Sequence, residues 1–595
     1  MKKYIIYILF IAIAFTACKK SDLDRLPQTS ISPTVFFNTE SDLSLYTTGL
    51  LSMPDRWTYV GEQSSDNVAT TANVEVKNVM AGKATSQNIT SGWDWGRLRD
   101  INYFLENYNR AKVSADIKNH YAGLARYYRA QFYLDKVKRF SDVPWYSGTL
   151  NPGDQALFKA RDPRALVMDS VMADLDFAYQ HVREDVPTGI PGKWAVATFY
   201  IRTALYEGTY RKYHSELNLT STANTFLATS AKVASDMMAS GKFIIYNTGK
   251  PDQDYAALFS SQDLTVNKEV ILVNAFDMKL GVSEAINGYV FGDYEQSPAK
   301  DLIQSYLMKD GSRFTDQPNY ATKSFVQEFQ NRDPRLSQTI AYPGWIQVPN
   351  TTPYIQKLSK SFTGYHLLKG FVNSTDQATQ NGVDFPVYRY AEVLLSYAEA
   401  LAELGTLTQQ QLDASINLIR RRAGMPDLNM AQANASPDVL LQQQFSNVTS
   451  NVGVILEIRR ERRVEFAFEN TRFDDLMRWK AGKLLTKSPE GIYFAGLGKY
   501  DLTGDGIPDI ILIDQSATAP DEGQKEKNSL GVPLVYYRAG TFASDATVSL
   551  KDVNTGSAIV TESAVRDFQE PKYYYRPIPQ QQVLLNSNLK QIFGW

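Results

Sequence analysis

The sequence predicts a mainly α-helical scaffold with a large loop-rich insertion and an irregular C-terminal region. Three observations carry that expectation. Apolar residues recur at helical spacing through much of residues 31–241 and again over 385–482. Residues 242–381 between them are rich in Gly, Pro, Asn and Tyr. Beyond residue 487 the helical period gives way to short strand-like runs.

The elements follow in order. Tyr121, Leu124, Ala125, Tyr128 and Phe132 fall on one helical face. Further helices are expected over residues 166–182, 193–213 and 223–240, the last closed by Gly241, which suits a left-handed cap. Adjacent helices joined by short turns resemble tetratricopeptide hairpins, although no 34-residue repeat is visible. Such units bury their faces only by stacking. Residues 269–275 read as a strand. Tyr390, Val393, Leu394, Tyr397, Ala398, Leu401 and Leu404 restore the helical period up to Gly405. A partner helix is expected over 412–423, and one long helix over 452–481. Strand-like pieces lie near 510–513 and 534–537.

The N-terminus reads as a lipoprotein signal. Lys2 and Lys3 precede an apolar run that ends at Thr16, Ala17 and Cys18. The run is shorter than the ~20 residues a spanning helix needs. Cys18 is the sole cysteine of the 595-residue chain, so it is the expected lipidation site. The expected division is a signal peptide over 1–17, a lipidated tether over 18–30 and a single body over 31–595. Within that body the helical scaffold (31–241 and 385–482) carries a loop-rich ligand face (242–384 and 483–595).

Composition excludes several classes. The formal charge is −2, and loss of Lys2 and Lys3 with the signal makes it two units more negative. No basic run suits a nucleic-acid partner. With Cys18 acylated no thiol is left for a disulfide or a nucleophile. His120, His181, His214 and His366 are scattered without ligand spacing, and neither a nucleophile elbow nor a phosphate-binding loop is present. The 35 Tyr, 29 Phe and 8 Trp exceed core needs and point to an aromatic binding surface.

One local pattern suggests a cation. Asp501, Thr503 and Asp505 occupy positions 1, 3 and 5 of a loop with Gly506 at 6, as in a calcium loop. The Ile507 carbonyl and Asp509 would add oxygens, while Leu512 stands where a bidentate Glu would close the set. The competing expectation is an Asp/Gly-rich turn.

Ordered motifs over nearly the whole chain resemble the SusD/RagB family. They comprise the run from Tyr121 through Arg126 and Arg129 to Tyr133, with Arg139, Val143 and Pro144 after it; Arg332 to Leu336; Tyr388 to Ala400; Arg420 to Gly424; Glu461 to Trp479; and Tyr575 to Pro579 with Gln591, Gly594 and Trp595. Asn470 replaces a frequent Gly, and Ile592 and Phe593 replace the usual Asn-Pro. The resemblance implies four tetratricopeptide-like helix pairs beneath a loop-rich binding face. It further implies a non-catalytic, surface-exposed outer-membrane lipoprotein of Bacteroidetes. Such a protein passes a nutrient, most often a glycan, to a TonB-dependent (SusC-like) β-barrel transporter. An oligopeptide ligand is the alternative, and a surface hydrolase the more distant one.

On physical grounds the motifs themselves are structural. Glu457 with Arg460, and Arg462 with Glu465, are expected as ion pairs one turn apart. Glu461, Glu465 and Glu469 read as ion-pairing groups, and Asp333-Pro334 as a helix start. Ligand contacts are expected instead from loop residues Trp57, Tyr59, Asp66, Asn67, Tyr289, Tyr294 and Trp345, because sugar rings stack on aromatics and their hydroxyls need polar partners. Phe291 and Tyr342 lie nearby, whereas Trp93 and Trp95 open a helix and read as core.

Overall fold

The structure, a computed structural model, describes residues 36–291, 296–374 and 381–595. Helix makes up 45% of the protein and strand 9%. The scaffold helices are α1 (Ala115–Phe140), α2 (Arg164–His181), α3 (Lys193–Tyr213), α4 (Ala223–Ala239), α5 (Tyr390–Leu404), α6 (Val452–Glu465) and α7 (Arg472–Arg478). From α1 to α6 each packs on its neighbour in chain order, which makes the stack tetratricopeptide-like. Ser114 caps α1, its hydroxyl accepting from the Ile117 N–H at 3.4 Å. Helices α3 and α4 approach so closely at Gly208 that an added Cβ would lie 2.9 Å from Leu227.

Two expectations are corrected. The single helix over 452–481 is broken after Glu465, with Phe468 at φ +64° and Asn470 at φ +57°. Tertiary contacts outweigh the helical period there. Phe466 enters the scaffold core, while Ala467 and Phe468 enter a second core beneath the loops. The Asn470 N–H donates to Glu62 Oε2 at 3.0 Å. A left-handed residue at 470 accounts for both the family's glycine and its replacement by Asn. The helix expected over 412–423 likewise divides into Gln409–Asp413 and Ile416–Arg422.

The insertion is tied to the scaffold by an antiparallel pair, β1 (Val270–Asn274) with β2 (Phe385–Arg389). The C-terminal part contributes a four-stranded sheet in the order β3 (Gly498–Tyr500), β4 (Ile510–Asp514), β5 (Val535–Gly540) and β6 (Val548–Ser549). Its first pair is antiparallel and the rest parallel.

Between helices and insertion lies a buried ionic cluster in which the sequence motifs meet. Glu465, fully buried, accepts from Arg422 Nη2 on both carboxylate oxygens at 2.6 Å, and from Arg389 and Arg335 at 3.0 Å. Glu461 pairs with Arg335 at 2.6 Å, and Glu469 with Arg389 at 2.6 Å and Lys369 at 2.7 Å. Glu269, on the residue preceding β1, reaches Arg389 at 2.9 Å. Asp333 caps the helix Pro334–Thr339 as expected, accepting from the Arg335 N–H at 2.9 Å. Glu457 pairs with Arg460 at 3.0 Å as expected. Arg462 does not pair with Glu465. It turns to Asp475 at 3.1 Å and Glu399 at 3.4 Å, because Glu465 is already enclosed by three guanidiniums. The acid motifs are therefore structural, each carboxylate taken up by a cation.

Candidate ligand-binding face

Two aromatic clusters lie on the loop-rich side. The first is built on the short helix Trp57–Gly61, whose first N–H donates to Asp55 Oδ1 at 3.0 Å. Trp57 is 50% exposed and meets the Tyr289 ring edge-on at 5.1 Å. The Arg56 guanidinium lies over both rings, 5.5 and 5.1 Å from their centroids. Arg56 is held there by Glu284 at 2.7 Å, and the Glu284 backbone is bridged to Asn381. The result is a fixed, partly exposed aromatic platform whose cation is paired with a carboxylate.

The second cluster forms a groove of about 690 Å³. Its centre is the turn Tyr342-Pro343-Gly344-Trp345, in which the Trp345 N–H donates to the Tyr342 carbonyl at 3.0 Å. Gly344 has φ +85°, as the third position of such a turn demands. Trp345 forms the floor, only 8% exposed and packed on Phe291 at 5.2 Å and Tyr354 at 5.6 Å. Tyr342 stands at the rim, 36% exposed. Burial, then the Asp252 charge, pushes its phenol above the usual range. Phe371, Gln330 and Asp252 complete the working surface, and Thr503 and Gly504 supply a wall.

One segment joins the clusters. Tyr289 touches Trp57, and Phe291, two residues on, packs against Trp345. Asn287 pins that segment by accepting from the Val372 N–H at 2.8 Å.

Three expected contacts are corrected. Tyr59 is buried against Phe385, and a Cβ on Gly370 would sit 2.6 Å from its hydroxyl. Asp66 accepts from Arg472 at 2.8 and 2.9 Å. Asn67, fully buried, donates to Glu62 at 2.7 Å and accepts from Arg463 at 2.8 Å. These groups are engaged in the framework, and of the three only Asp66 keeps a small exposed part of its side chain, 13%. Trp93 is core as expected, 4.9 Å from Phe140. Tyr294 and Cys18 lie outside the described residues. The sequence reading missed Arg56, Asp252, Gln330 and Phe371, which carry no periodic signal.

The Asp-rich loop is closed by its own backbone. Asp501 accepts from the Gly504 N–H at 2.6 Å and the Gly506 N–H at 2.9 Å, and Asp505 from the Ile507 N–H at 2.8 Å. Asp509 turns inward to the N–H groups of Leu502 and Thr503, at 2.7 and 2.8 Å, and burial raises its pKa. Among the described residues no three His, Cys, Asp or Glu side chains converge as a metal-holding group.

A helical stack carrying an aromatic, loop-built face defines a ligand-binding protein. The SusD family model matches residues 268–595, more than half of the chain, and the chain belongs to that family of non-catalytic binding proteins. It is 21% identical over 516 residues to SusD-like protein P2 of Formosa agariphila, spanning 81% of this chain and 92% of that protein. SusD-like protein P38 of the same organism is 24% identical over 515 residues, spanning 80% of this chain and 92% of P38. Among solved structures, a SusD-like carbohydrate binding protein from Bacteroides fragilis superposes with a TM-score of 0.67 at 24% identity, covering 93% of this chain and all of that one. A SusD-like protein of the same species gives 0.65 at 20% identity, covering 96% of this chain and all of that one. At these identities the likeness establishes the fold. Among the described residues no helix is long and apolar enough to cross a membrane.

Proposed function

We propose that this protein is a lipid-anchored, surface-exposed outer-membrane protein that captures a nutrient glycan on its loop-rich face and delivers it to a TonB-dependent transporter. The observation that carries the reading is the pair of joined aromatic clusters, one with exposed Trp57 on half-buried Tyr289 and one grooved at Tyr342 and Trp345. Two stacking surfaces in series suit an extended oligomer better than a single small molecule. The carbohydrate-binding name of the Bacteroides fragilis relative favours a glycan. The lipoprotein-like signal supports anchoring at Cys18, and membership of the SusD family supports a transporter partner.

Calorimetry tests the ligand and the face together. An oligosaccharide should bind wild type, and Trp57→Ala and Tyr342→Ala should each weaken it about twofold to tenfold, since an aromatic contact is worth ~0.5–1.5 kcal/mol beyond its area. Trp93→Ala should instead lower stability by ~3–5 kcal/mol while the folded fraction binds normally. Oligopeptide binding without oligosaccharide binding would move the ligand to the alternative class. Full affinity in both face variants would discard this surface.

Calcium at the 501–509 loop is a separate proposal, resting on the spacing of its oxygens. Asp501, Asp505 and the Ile507 carbonyl are the groups that would hold the ion, with Asp509 engaged internally. A ligand of the native state stabilises it by mass action. Metal-stripped protein is expected to melt higher with calcium than with chelator, and Asp505→Ala to lose that rise. Identical melting in the two conditions would remove calcium from the account.

A further inference from the structure

We propose that the Tyr342–Trp345 groove selects an uncharged sugar, and that Asp252 is its specificity-determining residue, accepting hydrogen bonds from ligand hydroxyls. This deepens the ligand reading above and rests on it.

Four polar side chains of the groove are already engaged within the protein. Gln338 is occupied: its Nε2 donates to the Pro251 and Pro334 carbonyls at 2.9 and 3.0 Å, and its Oε1 accepts from the Ala256 N–H at 2.9 Å. Asn373 is occupied too, accepting from the Val348 N–H and donating to the Ile346 carbonyl, both at 2.8 Å. Ser337 donates to the Pro334 carbonyl at 3.2 Å, and Thr503 to Asp509 at 3.3 Å. Among the described residues of the groove, the side chains left to meet a ligand are the Asp252 carboxylate, the Gln330 amide and the Tyr342 hydroxyl, all beside the aromatic floor.

Charge then decides the class. Among the described residues, Asp252 is the one charged residue lining the groove, and none of that lining is Lys, Arg or His. Recognition of uronate or sulfate groups relies on guanidinium or ammonium donors. An anionic sugar would here face an exposed carboxylate with nothing to offset the repulsion. The platform offers no spare cation either, since Arg56 is paired with Glu284. A carboxylate is acceptor-only and can take two hydroxyl donors at once. Adjacent hydroxyls on a ring whose face stacks over Tyr342 and Trp345 supply that arrangement. Because the carboxylate meets neutral hydroxyls, binding should be nearly independent of ionic strength.

The test uses the full chain with xylo-, manno- and cellohexaose as uncharged probes and hexagalacturonate as the anionic one. The expected result is binding of an uncharged hexasaccharide that holds from ~0.05 to ~0.5 M NaCl, with hexagalacturonate at least about tenfold weaker. Asp252→Asn should weaken the uncharged ligand about tenfold, the value of a hydrogen bond to a charged group. Asp252→Lys should narrow or reverse the preference over hexagalacturonate. Hexagalacturonate binding as tightly as the uncharged probes, while still weakened by Tyr342→Ala, would overturn the charge selection and leave the glycan reading standing. Unchanged affinity in Asp252→Asn would overturn the role of Asp252. Strong salt dependence would also overturn it, because the carboxylate would then be meeting a cation. Failure of every hexasaccharide, charged or not, would bring down the glycan reading and this inference with it.

Discussion

Glu465→Ala is expected to be the most damaging single substitution in the buried framework, lowering stability by ~3–5 kcal/mol, the cost of leaving a buried ion pair half-made. Removing this carboxylate leaves Arg335, Arg389 and Arg422 facing one another in the interior, with fewer acceptors for three guanidiniums. Burial pushes the Glu465 carboxyl up, but Arg422, Arg389 and Arg335 outweigh it and hold the group well below the usual carboxylate range. The sign follows from linkage. A folded-state pKa below the unfolded value of ~4.3 gives stabilisation that is fully present above that value and lost as pH falls towards the folded one. The stability gap between wild type and Glu465→Gln should therefore be constant at neutral pH and shrink below pH ~4. Urea midpoints across pH measure both effects. Lys232→Ala is the control. Its pair with Asp236 is exposed, so the midpoint should stay where it is. A Glu465 variant that melts like wild type, or a gap that widens in acid, would contradict the role given to this cluster.

That cluster also shows why the fold was only partly legible beforehand. Helix α3 spans Lys193–Tyr213, the range its local period predicts, and α5 stops where Gly405 adopts φ +77°. Both signals reside within a few residues of the chain. The break at 466–471 does not. Glu469 leaves the helical path to meet Arg389, eighty positions earlier, and Asn470 to meet Glu62. No local propensity encodes those partners. The binding face was legible to the same extent. The loop aromatics were identifiable by type, yet Trp57 and Tyr59, two positions apart on one short helix, are 50% and 1% exposed. Asp66 and Asn67 have the chemistry of sugar ligands, but arginines contributed by α6 and α7 claim them. Conversely, Asp252 gains its importance from the turn at Pro343-Gly344 and from the absence of a cation in the groove, neither of which is written near residue 252.

Cys18→Ser is expected to release the protein from membranes altogether while leaving ligand affinity in solution unchanged. The two properties should separate because the proposed anchor precedes the body and the proposed face is assembled from residues 56–57, 252, 284–291 and 330–371. Attachment by acyl chains scales at ~0.8 kcal/mol for each buried CH₂, so one chain binds reversibly and several bind stably. No described helix could substitute as a span. The larger consequence concerns the transporter. Two proteins tethered to one membrane meet at an effective concentration set by the tether, and even weak contacts then suffice for pairing. Once untethered, the same contacts must work against dilution. The unlipidated variant should therefore lose co-purification with a β-barrel transporter from mild detergent, and cells carrying it should take up the glycan poorly even though calorimetry on the isolated body looks normal. Acyl labelling, membrane fractionation and pull-down from outer membranes read the three effects independently. Unchanged sedimentation of Cys18→Ser would mean that another anchor holds the protein. Loss of the anchor with full retention of transporter pairing would mean that protein–protein contact, and not tethering, sustains delivery.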